Sequence, residues 1–325
     1  MTIESRYFFM KIAVLDAATL GDDLSLSPLE EVGECDIYSS TPPEKVAERL
    51  VDAEVTVINK VKLSGTNLCG AKKLRLICIA ATGYDNVDVA YCAQNGIAVC
   101  NVVGYSSHSV AQVTASTVLA LSTNLVEYDR FVKSGEYTKS GIQNRLTPVY
   151  HELFGKTWGV VGYGNIGKEV GAVAKALGCR LVVCKREPID GVECVDIDTL
   201  CRISDIITVH TPLNENTRHL INEERLSMMK PDVILVNAAR GAVTDEAAVA
   251  KALKEGRIGA FGSDVYSVEP MQSDHPFYDV IDHPCLLLTP HMAWGAYEAR
   301  VRCLDEIILN IRDFYAGGKR NRVDK

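Results

Sequence analysis

Three polar side chains in the second half of the sequence have complementary chemistry. Arg240 follows the apolar run VILVNAA, Glu269 lies in DVYSVEP, and His291 follows LLLTP. A guanidinium group can hold a carboxylate through two parallel hydrogen bonds and stays charged. A histidine beside a glutamate is favoured in its imidazolium form, so it can donate a proton near neutral pH. The three residue types together predict a site that binds an acid and protonates a second oxygen on it.

The same three residues lie at or just after the ends of apolar runs that have the length of buried strands. In open α/β sheets the ligand binds beyond the carboxyl ends of the strands. We therefore expect the three side chains to meet in one crevice beside a cofactor. This combination suits reduction of a 2-oxo acid, in which hydride reaches C2 while His291 protonates the carbonyl oxygen.

A glycine-rich turn supplies the expected cofactor site. Trp158–Val161 predicts a buried strand, and Gly162, Gly164 and Gly167 follow it at G-x-G-x-x-G spacing. A helical pattern and a second apolar run, Leu181–Cys184, complete a strand–turn–helix–strand unit. The glycines allow a tight turn, close approach to a pyrophosphate and helix–strand packing, and the helix N-terminus attracts phosphate. Inside this unit the motif predicts dinucleotide binding.

The residues after the second strand of this unit bear on the choice of cofactor. NAD sites carry an acidic residue there, which binds the ribose 2′-hydroxyl group. Here Lys185 and Arg186 occupy that position, and two cations can pair with a 2′-phosphate. The sequence thus predicts NADP(H). The alternative is a solvated turn in which Glu187 serves the ribose of NAD.

Composition narrows the class of protein. A length of 325 residues suggests two domains, and 47% of the residues are hydrophobic. The net charge is −8 with no basic stripe, which argues against a nucleic-acid partner. Eleven cysteines without a C-x-x-C pair favour reduced thiols in a cytoplasmic protein and give no metal-site spacing. We expect no secretory signal and no membrane-spanning run.

Strands alternate with helices along the whole chain, which predicts an α/β fold with doubly wound, mostly parallel sheets. The predicted strands are Lys11–Asp16, Val55–Ile58, Leu74–Ala81, Ile97–Cys100, Trp158–Val161, Leu181–Cys184, Ile206–His210, Val233–Asn237, Ile258–Ser263 and Leu286–Thr289.

The helical pattern also suggests how the domains are connected. A single long helix is predicted from Ser106 to about Lys133, followed by a polar, irregular excursion from Gly135 to Val149. The shorter predicted helices include Glu44–Val51, Asp198–Arg202, Glu223–Met229 and Asp245–Glu255. A last helix, after Trp294 and up to Tyr315, is expected to return to the first domain.

Several strings together make the chain resemble the D-isomer-specific 2-hydroxyacid dehydrogenases, in particular their glyoxylate/hydroxypyruvate reductase and glycerate dehydrogenase branch. The similarity covers most of the chain from about Leu74 to Trp294. The strings are ATGYDNVDV, NVVGYSSHSVAQ, HELFGKTWGVVGYGNIG, HTPLNENTRHLIN, MKPDVILVNAARGAVTDEAAVAKAL, GSDVYSVEP and LLLTPHMAW.

The resemblance implies roles for individual residues. His291 would be the acid/base, Glu269 its paired carboxylate, and Arg240 the group that binds and polarises the substrate. The implied substrate-binding residues are Ala81, Thr82, Gly83, Tyr105 and Trp294. With the glycine turn and its cations, the expected cofactor-binding set is Gly162, Gly164, Asn165, Ile166, Gly167, Lys185, Arg186, His210, Thr211, Pro212, Thr217, Ala238, Ala239, Arg240, Asp264 and His291.

The resemblance also implies an organisation into two Rossmann-like or flavodoxin-like domains. Residues 1–105 with 296–325 would form a discontinuous substrate domain, and residues 106–295 the NAD(P)-binding domain. A homodimer built partly from the segment Val110–Val149 is implied as well.

The same residue pattern also fits other functions, and the chain contains further histidines. The enzyme could act on a larger 2-oxo acid, such as pyruvate or a branched or aromatic one. Corepressors of the C-terminal binding protein type share the Arg–Glu–His set but only sense the dinucleotide, and they carry extensions. Formate dehydrogenases have Gln where this chain has Glu269.

The remaining histidines are predicted to be exposed or loop residues: His108, His151, His219, His275 and His283.

Overall fold

The computed structural model describes residues 10–187 and 189–324. Its strands are β1 (Lys11–Val14), β2 (Glu34–Ile37), β3 (Val55–Ile58), β4 (Leu76–Ile79), β5 (Ala98–Cys100), β6 (Thr157–Val161), β7 (Arg180–Cys184), β8 (Glu193–Cys194), β9 (Ile206–Val209), β10 (Ile234–Asn237), β11 (Ala260–Ser263) and β12 (Leu286–Leu288). Its α-helices are α1 (Val46–Leu50), α2 (Gly65–Leu68), α3 (Val89–Gln94), α4 (Ser107–Ser122), α5 (Leu125–Lys133), α6 (Glu136–Ser140), α7 (Asn165–Ala176), α8 (Ile197–Ile203), α9 (Glu223–Met228), α10 (Glu246–Lys254) and α11 (Tyr297–Tyr315). Short 3₁₀ turns lie at Ala17–Leu20, Ser27–Glu31, Pro43–Lys45, Gly241–Val243 and Pro276–Val280.

The chain divides into two compact units. Unit 1 comprises Met1–Ser106 and Gly295–Lys325, and unit 2 comprises Ser107–Trp294. These boundaries lie one residue from the predicted ones. Unit 1 holds a five-stranded sheet of order β2-β1-β3-β4-β5, and unit 2 a seven-stranded sheet of order β12-β11-β10-β9-β6-β7-β8. All strand pairs are parallel, so the predicted α/β fold with doubly wound sheets is confirmed.

The strand order of unit 2 determines which loops are neighbours. Strands β10, β11 and β12 are adjacent and in register, with Asn237 opposite Ser263 and Ser263 opposite Leu288. Their interiors are apolar and mostly buried, as expected for a parallel sheet covered on both faces. The loops that follow these three strands therefore leave the same edge of the sheet, side by side.

Each predicted strand is present with its ends within two residues of the prediction. Strands β2 and β8 were not predicted. The sequence of β2, ECDI, is largely exposed at the edge of its sheet, and β8 has only two residues. Neither segment has the buried apolar run that identified the other strands.

The prediction of one long helix from Ser106 to Lys133 was wrong. The segment forms α4 and α5, whose axes are bent by 65°. Asn124 lies between them in the left-handed region, with φ 53° and ψ 33°. A residue in this conformation cannot continue a right-handed helix. Within the described residues, no single helix is long and apolar enough to cross a membrane, although α4 and α5 meet that criterion when taken together.

The excursion after α5 is less polar and less irregular than predicted. It contains helix α6, and several apolar side chains in and after it are exposed. The most exposed of these are Ile142, Leu146, Val149 and Phe154. Such a concentration of exposed apolar surface is typical of a contact region.

Candidate active site

His291 and Glu269 form a hydrogen-bonded pair in unit 2. The loop after β11 carries Glu269 and the loop after β12 carries His291, and His291 Nδ1 lies 2.6 Å from Glu269 Oε2. An ionised carboxylate can only accept, so Nδ1 carries the proton of this bond. Glu269 Oε1 accepts a second bond from the backbone N–H of Tyr266 at 3.0 Å. Both side chains are partly exposed, which leaves His291 Nε2 as the ring nitrogen for a ligand.

Asp264 holds the loop that carries His291. Its carboxylate accepts bonds from Thr289 Oγ1 at 2.6 Å and from the N–H groups of Met292 and Ala293, both at 2.9 Å. His291 lies between these donors with φ 54°, a conformation that is uncommon for a residue with a side chain. These bonds give Asp264 a structural role within unit 2. The resemblance implies a contact with the cofactor as well.

Arg240 follows β10 in a loop shaped by Asn237. The buried Asn237 side chain donates to the Arg240 carbonyl at 3.0 Å and accepts from Ala239 N–H at 3.0 Å. A Cβ on Gly241 would lie 2.0 Å from the carbonyl carbon of Tyr266. The Arg240 loop therefore packs backbone to backbone against the loop of Glu269. Sequence reasoning missed Asn237, although an amide at the end of a buried strand was a usable signal.

Tyr266 connects the loops after β11 and β12. Its hydroxyl group donates to the Thr289 carbonyl at 3.0 Å. Burial raises the pKa of Tyr266 to about 12, and the nearby carboxylates of Asp264 and Glu269 add to the effect. The side chain therefore stays a neutral donor at any working pH. Nothing in the sequence pattern singled it out.

The glycine turn after β6 has the geometry that a pyrophosphate needs. Gly162 has φ 89°, and its Cβ would lie 2.8 Å from the carbonyl carbon of His210. A Cβ on Gly167 would lie 2.2 Å from the Gly162 carbonyl oxygen, whereas one on Gly164 would meet no atom within 4 Å. No side chain caps the N-terminus of α7 at Gly164. Its first N–H groups can therefore bind phosphate oxygens, so the residues present fit a dinucleotide.

Apart from Asp264 and His291, the predicted cofactor residues outside this turn occupy three loops of unit 2. Lys185 and Arg186 are exposed directly after β7. Ala238 and Ala239 lie in the loop after β10. Thr217 folds the loop after β9, because its hydroxyl donates to the Pro212 carbonyl at 2.6 Å and accepts from Asn214 N–H at 2.8 Å. That loop also contains Thr211.

His210 is an unusual member of the predicted set. Both of its ring nitrogens are buried, and neither has a hydrogen-bond partner among the residues that the structure describes. Burial lowers the pKa of His210 to about 3. The ring is therefore neutral at physiological pH, which excludes it as a proton donor there.

The predicted substrate-binding residues divide between the two units. Ala81–Gly83 follow β4 in unit 1, where Thr82 Oγ1 donates to the Val102 carbonyl at 2.8 Å and the Thr82 carbonyl accepts from Asn101 Nδ2 at 2.7 Å. Tyr105, also in unit 1, is buried. Trp294 is the last residue of unit 2. Both partners of Thr82 lie directly after β5, so the segment Ala81–Gly83 is bonded to the loop that follows that strand.

Comparisons with known proteins show which family this chain resembles. The family model described as D-isomer specific 2-hydroxyacid dehydrogenase, NAD binding domain, matches residues 115–293. A glycerate dehydrogenase of Methylorubrum extorquens is 37% identical, with 97% of this chain and 99% of the relative covered. A hydroxypyruvate reductase of Blautia hydrogenotrophica is 33% identical, with 97% and 100% covered. The solved structure of an acyclic imino acid reductase in complex with NADPH and D-Arg has a TM-score of 0.86 at 29% identity, with 97% and 100% covered.

Proposed function

We infer that this chain, which belongs to the D-isomer-specific 2-hydroxyacid dehydrogenase family, reversibly reduces a small 2-oxo acid to the D-2-hydroxy acid with a nicotinamide dinucleotide. The observation that carries the proposal is the 2.6 Å bond between His291 Nδ1 and Glu269 Oε2, beside the loop of Arg240. The relatives named glycerate dehydrogenase and hydroxypyruvate reductase describe the two directions of one such reaction.

In the proposed mechanism, each of the three residues has one task. The bound dinucleotide supplies a hydride to the carbonyl carbon. Arg240 binds the substrate carboxylate and polarises the carbonyl group, because its planar fork matches two oxygens. His291 Nε2 donates a proton to the carbonyl oxygen, and Glu269 stabilises the imidazolium form before the transfer. In the reverse direction His291 accepts the hydroxyl proton.

The two units would divide the binding. Unit 2 holds the matched NAD-binding domain and the glycine turn, so it binds the dinucleotide. Unit 1 would be the substrate domain, where the backbone N–H groups of Ala81–Gly83 bind the substrate carboxylate. The buried Tyr105 and the indole of Trp294 would contact the substrate.

The decisive experiment follows the oxidation of NADPH and NADH at 340 nm with a panel of 2-oxo acids. We expect turnover with hydroxypyruvate or glyoxylate. His291→Gln should lower kcat by about 100-fold or more, the range for lost acid–base catalysis. Glu269→Gln should move the pH profile of reduction to lower pH, because the imidazolium loses its partner.

Three other outcomes would change the proposal. Preference for pyruvate or for branched or aromatic 2-oxo acids would keep the reaction and change the substrate. Dinucleotide binding without turnover of any 2-oxo acid would indicate a dinucleotide-sensing protein instead. Normal reduction rates in both His291→Gln and Glu269→Gln would show that these two residues do not have the proposed acid–base roles.

We further propose that the dinucleotide is NADP(H) rather than NAD(H). Lys185 and Arg186 are exposed directly after β7, where their charges can pair with a 2′-phosphate. The test compares kcat/KM for NADPH and NADH in the parent and in the double variant Lys185→Asp/Arg186→Ala. The variant should lose its preference for NADPH, and the preference in the parent should weaken with rising salt. If the parent instead prefers NADH, the cofactor is NAD(H) and Glu187 is the residue that binds its ribose.

A homodimer is the proposed assembly. The exposed apolar side chains of α5 and the segment after it supply surface that a second copy would cover. Sedimentation equilibrium should give twice the chain mass. The double variant Leu146→Glu/Phe154→Glu should give the monomer mass, whereas an unchanged mass would place the interface elsewhere.

A cytoplasmic location is proposed from the cysteines. All eleven are described by the structure, and none of them forms a disulfide bond. Reduced thiols are typical of proteins in the reducing cytoplasm. Cell fractionation with an antibody would test the location, and recovery from a membrane or external fraction would contradict it.

A further inference from the structure

Glu246 is a buried carboxylate that the proposed reaction does not use. It is the first residue of α10, and only 8% of it is exposed. Its Oε1 accepts the backbone N–H of Ser267 at 2.9 Å, and its Oε2 accepts the Ser267 hydroxyl. His275 Nε2 lies 3.1 Å from the same Oε2. A buried charge is tolerated only with such partners, so Glu246 is fixed to Ser267 and His275.

His275 is not the loop residue that the sequence predicted. It is as buried as Glu246, and its Nδ1 accepts the N–H of Phe277 at 3.2 Å. The neutral ring therefore carries its proton on Nε2, on the side of Glu246. Among the described residues Nε2 has no hydrogen-bond partner, so its N–H dipole attracts the Glu246 carboxylate only electrostatically. The ring also packs edge-on against Tyr266, with centroids 5.8 Å apart.

Ser267 belongs to the turn that directs Glu269. This turn begins at Tyr266, whose N–H donates to Glu269 Oε1, while Glu269 Oε2 reaches His291. Glu246 accepts hydrogen bonds from both the backbone N–H and the hydroxyl group of Ser267, the second residue of the turn. The Gly241 backbone packs against the same peptide. The turn is thus held both by α10 and by the Arg240 loop.

We propose that Glu246, supported by His275, is a positioning residue that fixes Ser267 and thereby holds Glu269 against His291. This role rests on the proposed function of the His291–Glu269 pair. Glu269 stabilises the imidazolium only while its Oε2 reaches Nδ1. Loosening the turn therefore slows proton transfer and moves the pH profile to lower pH.

The groups that titrate or carry charge around this turn include Glu246 on α10 and Arg240 in the loop after β10, and three further elements contribute others. His275 contributes from the N-cap of its 3₁₀ turn, and the loop after β11 contributes Tyr266 and Asp264. His291 contributes from the loop after β12. A measured pH profile must therefore be compared with that of Glu269→Gln, which reports the His291–Glu269 pair directly.

The test measures kcat, KM and the pH profile of oxo-acid reduction in five variants of the full chain, one of which is the reference Glu269→Gln. Glu246→Ala should lower kcat by about 10- to 100-fold, the range for a misplaced catalytic group. It should also move the pH profile in the direction of Glu269→Gln, with the KM for the dinucleotide unchanged. Ser267→Ala removes one of the two bonds and should show a smaller effect of the same kind. Ser267→Thr keeps the hydroxyl group and should retain the activity of the parent.

Asp205→Ala is the matched control. Asp205 holds Thr157 N–H at 2.7 Å and Lys230 Nζ at 2.8 Å, but it precedes β9 and lies at the opposite edge of the same sheet. The Asp205→Ala substitution should lower the melting temperature and leave the pH profile of oxo-acid reduction unchanged. Should Glu246→Ala fail to fold, Ser267→Ala against Ser267→Thr still decides the question.

The possible results separate the two proposals. A normal pH profile in Glu269→Gln would overturn the proposed function and this role with it. A shifted profile in Glu269→Gln with a normal profile and kcat in folded Glu246→Ala or Ser267→Ala would overturn only the positioning role. An equal shift in Asp205→Ala would also overturn it, because the effect would then be general destabilisation.

Discussion

Acidification from pH 7 to pH 5 should destabilise unit 2 by about 2 kcal/mol through His210 alone. The folded protein holds the pKa of His210 at about 3, whereas an unfolded histidine titrates near 6.5. Below pH 6.5 the unfolded chain takes up a proton that the folded chain does not. Stability from this residue is therefore complete above pH 6.5 and falls as the pH decreases. The interval from 6.5 to 5 spans about 1.5 pH units at about 1.4 kcal/mol each, which gives the stated magnitude.

The assay is urea unfolding at pH 7 and pH 5, followed by tryptophan fluorescence. The chain has two tryptophans, Trp158 and Trp294, and both lie in unit 2. Trp158 is fully buried, and its ring N–H donates to Thr208 Oγ1 at 3.2 Å, close to His210 in the chain. Its fluorescence therefore reports the unfolding of the unit that contains His210.

The variant His210→Gln has no titrating ring, so its loss of stability between the two pH values should be about 2 kcal/mol smaller than in the parent. Carboxyl groups elsewhere contribute equally to both proteins and cancel in the comparison. His151→Gln, at an exposed position, is the control and should match the parent. Equal pH dependence in His210→Gln and the parent would refute the reasoning.

Four further substitutions test the loops around the site. Gly164→Ala should raise the KM for the dinucleotide and change the free energy of unfolding by no more than about 0.5 kcal/mol. Gly167→Ala should lower the free energy of unfolding by about 1–3 kcal/mol, because its Cβ would meet a backbone oxygen. Equal stability of these two would contradict the turn geometry. Gly241→Ala should lower kcat as the Arg240 loop is pushed from the Glu269 loop, and a parent-like kcat would show that their contact is dispensable. Arg240→Lys should raise the KM for the oxo acid and lower kcat, whereas a change in dinucleotide affinity alone would assign Arg240 to the cofactor.

The sequence was informative where local patterns determine structure. Apolar runs located the buried strands, and the glycine spacing located the turn, because period and backbone freedom are local properties. It failed at Asn124, where the apolar pattern of Leu125 and Val126 continued the helix and hid a left-handed residue. It also failed at the exposed edge strand β2, which has no buried run to detect.

The candidate site shows the same division. Arg240, Glu269 and His291 could be found because each follows a strand end. The pair of Glu246 and His275 could not, because the two residues are far apart in the sequence and approach only when α10 and the Pro276–Val280 turn pack together. Asp264 and Asn237 were visible as residue types, but their bonds depend on loops that tertiary structure positions.

The division of unit 1 into two stretches of chain has a consequence for synthesis on the ribosome. Helix α11 packs on β4 with Cys303, Leu304 and Ile307 buried, and Val323 N–H donates to the carbonyl of Val99 in β5 at 2.9 Å. A nascent chain ending at Trp294 has every residue of unit 2 but lacks these partners of the first sheet. Unit 2 is therefore complete first, although its residues are translated second. Until residues 295–325 are made, the N-terminal sheet lacks the helix that covers β4, so it exposes apolar surface of the kind that favours aggregation in nascent chains.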